Sequence, residues 1–360
     1  MDEKIKIVFV AASTVGGGAE RVQLNIMNSL DSNFYDINFI NIGTETAPKE
    51  LKNHIHYSRY HKKHVRQGFF PLKKDLKKIK PDYLFTTSIL AAYLLQVLKV
   101  ILRLKSKVIV RIAVPPSESP HRTIKYRVLN RINKFVLKHV DLIIAQTQFM
   151  KDDVVNHFKL NPEKVQVIRN IVDSEFLSSK SEEFVPEEYD KTHFNIVAAG
   201  ALYPVKGFDL LIEALASVKN EIENLRLYIL GDVRYAQDYD KVLERLISQY
   251  SLEENVFLLG HKSNPFPYIK HANLFVLSSR SEGFPNVVLE SLYLKTPVIA
   301  TSCVDFTGVI EEGENGYVVE KNSTEALAKG ILNGYTRLRQ PKFHEIKNFD
   351  YSNVFKGQSK

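Results

Sequence analysis

The chain has 360 residues, about twice a common domain length, so two domains are expected, each able to bury a core. Its 44% hydrophobic and 25% charged content excludes a disordered, collagen-like or polytopic membrane chain, and its single cysteine, Cys303, excludes a disulfide framework or Cys-rich zinc site and fits a reducing compartment. The net charge of +8 is uneven: residues 51–150 hold 21 Lys and Arg against 4 Asp and Glu, whereas the remainder holds 28 against 37.

Residues 1–12 carry Asp2, Glu3, Lys4 and Lys6 before a short apolar run, so no secretory leader is expected and the cytoplasm is the expected compartment. Short apolar strands are predicted at 5–11, 37–42, 83–87, 108–112 and 142–145, with helices at 19–30, 89–102, 123–138 and 149–158 between them. The apolar segment 88–102 contains Gln96 and Lys99 and falls short of the ~20 residues of a membrane span, so it reads as a buried helix. Three basic clusters follow one another: Lys62, Lys63 and Arg66; the lysines between 73 and 80; and the basic residues between 122 and 138. Tyr60, Phe69, Phe70, Tyr126 and Phe135 are interleaved with them. Such a field implies an anionic partner, and a membrane surface suits it, at ~1 kcal/mol per basic residue, while solvated helix faces fit the clusters as well. No zinc-finger spacing or RNA-recognition signature occurs, so nucleic acid is not expected.

Composition turns polar and acidic near 178–188, which places a linker at 176–192. Domains are therefore expected at 1–175 and 193–340, with a tail at 341–360 packing back on the first. The second series predicts strands at 194–199, 225–230, 256–259, 274–277 and 298–300, and helices at 208–218, 239–249, 285–294 and 323–332. The alternation implies an α/β chain with two doubly wound, Rossmann-like domains facing across a cleft, where ligands gather at the strands' carboxyl ends.

The most informative stretch is 281–290, Ser-Glu-Gly-Phe-Pro-Asn-Val-Val-Leu-Glu, which follows a strand and opens a helix. Pro285 suits the first helical position, and Phe284 before it offers no capping oxygen. The amides of Asn286, Val287 and Val288 are then expected to lack an acceptor and, with the helix dipole, to form a phosphate site. Gly283 would let backbone approach a ligand. Glu282 and Glu290 flank the turn, and a carboxylate can accept two hydroxyl hydrogen bonds from a sugar diol. Solvated acids at an ordinary helix start fit the spacing as well.

Residues 282–290 resemble the glutamate–seven-residue–glutamate motif of the retaining family 4 glycosyltransferases of GT-B fold. Gly200 with Lys206-Gly207-Phe208-Asp209, Leu230-Gly231-Asp232, the run 296–301, the run 313–319 and the glycine-rich loop Gly16-Gly17-Gly18 resemble other parts of that family. The resemblance implies transfer of a sugar from a nucleoside diphosphate donor, a uridine diphosphate hexose or N-acetylhexosamine above all, to a lipid-linked or polysaccharide acceptor. It implies catalytic roles for Glu282, at the sugar hydroxyls, and Lys206, at the diphosphate. Glu290 would hold the ribose, and Gly17, Gly18, Gly231, Asp232 and residues Gly283 to Val288 would complete the donor site. No metal or other cofactor is expected, since no HExxH or comparable cluster occurs.

Two places depart from the family pattern. Ala201 follows Gly200 where many members carry arginine, which leaves Arg234 as a candidate replacement cation. The usual histidine after the strand at 108–112 is replaced by Arg111-Ile112-Ala113-Val114-Pro115-Pro116; His121 is the nearest histidine, open to a place on the acceptor side or to a surface or helix-capping role. His64, His121 and Glu118 are candidates for a general base. The glycine loop fails the dinucleotide fingerprint, because its third required position is Arg21. Asp238-Tyr239-Asp240 resembles a metal-binding triplet but reads better as acids at a helix start. An epimerase or hydrolase on the same fold, or a non-catalytic sugar-nucleotide-binding protein, remains open on these residues.

Overall fold

The computed structural model describes residues 3–13, 18–118, 124–233, 238–338, 341–343 and 349–356. The chain divides into two compact units, Met1–Asp173 with Asn348–Lys360, and Ser174–Lys347.

The first unit holds a seven-stranded sheet: β1 (Ile5–Ala11), β2 (Tyr35–Asn41), β3 (His56–Arg59), β4 (Tyr83–Thr86), β5 (Lys107–Arg111), β6 (Leu142–Ala145) and β7 (Val165–Val167). Their order is β3-β2-β1-β4-β5-β6-β7, and every pairing is parallel. Side chains alternate between faces along each strand. Val8 and Val10 face a core built with helices Phe69–Ile79, Ile89–Ile101, Ile124–His139 and Gln148–Phe158. Ile7 and Phe9 face the opposite core, which includes helix Gly18–Ser29. Burial on both faces explains why the strands read as unbroken apolar runs.

The second unit holds β8 (Phe194–Ala199), β9 (Leu225–Leu230), β10 (Val256–Leu258), β11 (Leu274–Leu277), β12 (Val298–Thr301) and β13 (Gly316–Val319), in the order β10-β9-β8-β11-β12-β13, again all parallel. In both sheets the winding direction reverses beside the first strand, between β1 and β4 and between β8 and β11. Those reversals are the switch points at which doubly wound sheets hold ligands.

The sequence pattern missed the strands β3, β7 and β13, which are three or four residues long and sit at the sheet edges. It also missed helix Phe69–Ile79, where a lysine-rich surface masks Leu72 and Leu76, one turn apart and fully buried. Residues 176–192, read as a linker, belong to the second unit: helix Ser174–Ser181 sets Phe176 edge-on to Phe266, and Tyr189 lies against Tyr228 and Tyr268. Aromatic side chains spaced through the acidic run hold it down. Near the C terminus, Tyr351 and Phe355 are buried in the first unit, with Phe355 ringed by Phe9, Tyr35, Tyr83 and Phe85. Among the described residues no helix is long and apolar enough to cross a membrane.

Candidate active site in the second unit

At the switch point of the second sheet, the loops leaving β8 and β11 are fastened to each other. Gly207 has φ +65°, and a Cβ there would come within 2.1 Å of the Ser278 carbonyl oxygen. Only glycine permits that approach. Ser278 Oγ donates to the Lys206 carbonyl at 2.8 Å, and the Arg280 amide donates to the Val205 carbonyl at 2.7 Å. The Arg280 guanidinium reaches the Pro204 carbonyl at 2.5 Å and both Asp209 carboxylate oxygens at 2.8 and 2.7 Å. The loop leaving β9 is equally close: a Cβ on Gly231 would lie 1.8 Å from the Gly200 carbonyl oxygen.

This bracing delivers Lys206 Nζ to 2.6 Å from Glu282 Oε1, and Ser279 Oγ donates to the same oxygen at 2.8 Å. The Lys206 and Glu282 side chains are 25% and 15% exposed, so the pair is shielded yet accessible. Ser279 is itself held, since its carbonyl accepts Thr301 Oγ1 at 2.5 Å. Thus the two predicted catalytic residues, 76 positions apart in sequence, meet directly.

Burial acts first on Asp209, against its charge, but the hydrogen bonds and charge of Arg280 outweigh it and hold the carboxyl below the usual range. Arg280 is pushed up in return, chiefly by its hydrogen bonds to Asp209. Burial pushes the Cys303 thiol up to about 12, and the neighbouring Glu282 charge adds to the shift. Sequence reading missed Arg280, Ser279 and Cys303 as parts of this site. Their neighbours Glu282 and Thr301 fell within quoted motifs, but nothing in the order of residues marks which side chain braces which loop.

Helix Asn286–Tyr293 begins one residue later than expected, with Pro285 as its N-cap and no capping side chain. The Val288 amide, expected to lack an acceptor, donates to the Pro285 carbonyl at 3.1 Å, because the chain enters the helix through a tight i to i+3 turn. Gly283, Phe284 and Pro285 are buried, and the Phe284 ring tilts against Phe306 with centroids 6.0 Å apart. Asn286 and Val287 are half-buried in the first turn, and Glu290 is half-buried one turn on. Asp232 is exposed, and its carboxylate accepts the His261 amide at 2.9 Å.

Other expected residues fall elsewhere. Asp238 pairs with Lys241 at 2.5 Å, and Tyr239 donates to Asp209 at 3.0 Å, so the Asp-Tyr-Asp triplet serves a helix start. Among the described residues no group of three or more His, Cys, Asp or Glu could hold a metal ion. Gly18 is exposed at the first position of helix Gly18–Ser29 in the first unit. His64 caps a short helical turn, Val65–Gly68, and Glu118 ends another, Pro116–Glu118. Gly16, Gly17, His121 and Arg234 lie outside the described residues. Arg111, at the end of β5, is buried and donates to Asn170 Oδ1.

The fold and the braced lysine–glutamate pair define a GT-B type α/β protein of two doubly wound units. The family model for glycosyl transferases group 1 matches residues 179–335, and that for Glycosyltransferase Family 4 matches residues 16–176. The chain belongs to this glycosyltransferase family. An uncharacterized glycosyltransferase of Methanocaldococcus jannaschii is 33% identical over 243 residues, 65% of this chain and 59% of that protein. The N-acetylgalactosamine-N,N'-diacetylbacillosaminyl-diphospho-undecaprenol 4-alpha-N-acetylgalactosaminyltransferase of Campylobacter jejuni is 29% identical over 208 residues, 56% of this chain and 53% of that protein. The matches thus span little more than half of these two relatives. Among solved structures, Anabaena HepE in complex with UDP and glucose superimposes with a TM-score of 0.76 at 21% identity, covering 93% of this chain and 90% of that one.

Proposed function

We propose that the chain transfers a hexose or N-acetylhexosamine from a uridine diphosphate donor to a lipid-linked or polysaccharide acceptor, with retention at the anomeric carbon and without a metal. The observation that carries this reading is the Lys206–Glu282 contact of 2.6 Å at the switch point, beside an uncapped helix start. The UDP and glucose complex of the HepE structure supports the donor class, and the diphospho-undecaprenol in the name of the Campylobacter relative supports the acceptor class.

In this reading the donor diphosphate lies at the Asn286–Tyr293 helix start, where the helix dipole favours an anion. Lys206 supplies the positive charge that meets the leaving phosphate as the bond from the anomeric carbon breaks. Arg280 does not take that task, because Asp209 engages its guanidinium through both carboxylate oxygens. Glu282 turns from Lys206 towards the sugar hydroxyls, and Glu290 receives the ribose. Gly17, Gly18, Gly231 and Asp232 complete the donor contacts, with the backbone of Gly283 to Val287, and His121 serves the acceptor. The acceptor oxygen attacks from the face the leaving group vacates and passes its proton to the departing phosphate oxygen. Cys303 is no nucleophile here, since a thiol titrating at about 12 stays protonated at neutral pH. The basic first unit rests on the inner, anionic face of the membrane.

UDP release from a panel of UDP-sugars, with and without lipid diphosphate acceptors, tests the proposal. Release that Glu282→Ala abolishes is expected. Donor binding with no release for any acceptor would favour a sugar-nucleotide-binding protein instead.

A further inference from the structure

The first unit carries a cavity of about 790 Å³ that the donor site leaves unused. It opens between the segment leading into helix Phe69–Ile79 and the first two turns of helix Ile89–Ile101. Local bonding fixes both walls. Gln67 Oε1 accepts the His64 amide at 3.1 Å, and Tyr60 donates to Asp75 at 2.6 Å, which pins the first wall. A Cβ on Gly68 would sit 3.2 Å from Ile42, so this wall lies directly on the sheet core. Ser88 caps the second helix through the Ala91 amide.

The lining divides by chemistry. Phe69, Leu90 and Tyr93 give an apolar surface, with Leu90 and Tyr93 52% and 47% exposed. Lys63, His64 and Arg66 also line it, and no lining residue is acidic. A mainly apolar site that also carries three basic residues fits an anion joined to an apolar chain. The volume is that of a pocket for a single small ligand. Its walls lead from the carboxyl ends of β3 and β4, the sheet edge where doubly wound folds hold substrates. A second basic cavity, of about 890 Å³ and lined by Lys77, Lys80, Arg103, Lys105 and Lys107, lies at the amino ends of β4 and β5, away from that edge.

We propose that the cavity between the two helices holds the diphosphate end of the lipid-linked acceptor, its phosphates at Lys63, His64 and Arg66 and its first apolar carbons on Phe69, Leu90 and Tyr93. This rests on the glycosyltransferase reading and names how the acceptor is seated. Contact with bulk phospholipid needs only a charged surface, whereas a walled cavity at the substrate edge selects one molecule.

Farnesyl diphosphate is a soluble probe of this chemistry. Titration calorimetry on the full chain, with hydrogen exchange to locate the ligand, should show saturable binding that protects amides in 64–70 and 89–95. Farnesol and inorganic diphosphate should each bind at least about tenfold more weakly, because each engages only one part of the lining. Arg66→Glu and Leu90→Asp should each weaken farnesyl diphosphate by about tenfold or more. Both positions are exposed, and an unchanged thermal transition confirms that the variants fold. Binding that both variants leave intact, or protection elsewhere, overturns the proposal. Equal or tighter binding of monomeric short-chain phosphatidylglycerol in the same cavity, displacing farnesyl diphosphate, also overturns it in favour of bulk lipid. The readout involves no sugar transfer. Absence of UDP release in the turnover assay would defeat the functional reading while leaving the binding result legible, and the converse also holds.

Discussion

The substrate edges of the two sheets are built on different principles. In the second unit, three loops are locked by contacts that leave no room for a Cβ on Gly207 or Gly231, and by side chains that bond to backbone across the gap. In the first unit, the corresponding edge is walled by helices whose exposed faces carry lysines and bare apolar side chains. One edge ties its loops together through close backbone contacts; the other offers a surface and a cavity. The difference suits the chemical step proposed for one side and the acceptor proposed for the other, and it can be attacked from the braced side first.

Lys206→Ala should have the largest effect on turnover. It removes the cation proposed to meet the leaving phosphate, and a loss of about 10²–10³ in kcat is expected for one preorganised charge. Steady-state UDP release measures it, and a loss below tenfold would move the burden to another group. Gly207→Ala should act on stability. The new methyl group meets the Ser278 carbonyl at 2.1 Å in a left-handed backbone conformation, so a cost of about 3 kcal/mol is expected in denaturant titrations. A neutral result would show that the loops are not held as rigidly as their contacts imply.

Arg280→Met comes next. It leaves the half-buried Asp209 carboxylate without its bidentate partner, at about 1–2 kcal/mol. The sign with pH follows from the depressed carboxyl of Asp209. Its stabilisation is complete above the unfolded value of ~3.9 and is lost as pH falls through the lower folded value. The gap between wild type and variant should therefore be full at pH 6 and close in acid. A gap that widens in acid would contradict the pairing.

Much of the second unit was legible because the braced loops demand particular residue types. Glycine at 207 and 231 is forced by geometry, whereas Lys206 and the glutamates around Pro285 stood out through the resemblance to the family 4 motif. The two doubly wound sheets were legible for a similar reason, since strands buried on both faces read as apolar runs. What escaped were partnerships set by tertiary approach. Arg280 looks like any loop arginine until Asp209 is brought beside it. Helix Phe69–Ile79 reads as a lysine cluster until Leu72 and Leu76 are seen on one face. The segment 176–192 reads as a linker because its few aromatic anchors are outnumbered by polar neighbours, though anchors decide packing.

The smallest effect is expected at Cys303, where the site touches a reactive side chain without using it. Burial and the Glu282 charge both disfavour the thiolate, so the group stays a neutral thiol well above physiological pH. Iodoacetamide reacts with thiolate, so labelling of the native chain at pH 8 should be slow against the unfolded chain, where the group titrates near ~8.5. Cys303→Ala should leave UDP release within about twofold of wild type and cost about 1 kcal/mol or less, since it removes a single buried sulfur. Donor bound against Glu282 should slow labelling further by covering the approach. Rapid labelling with loss of turnover would instead place a thiolate beside the glutamate, and the charge balance assigned to Lys206 and Glu282 would then be wrong.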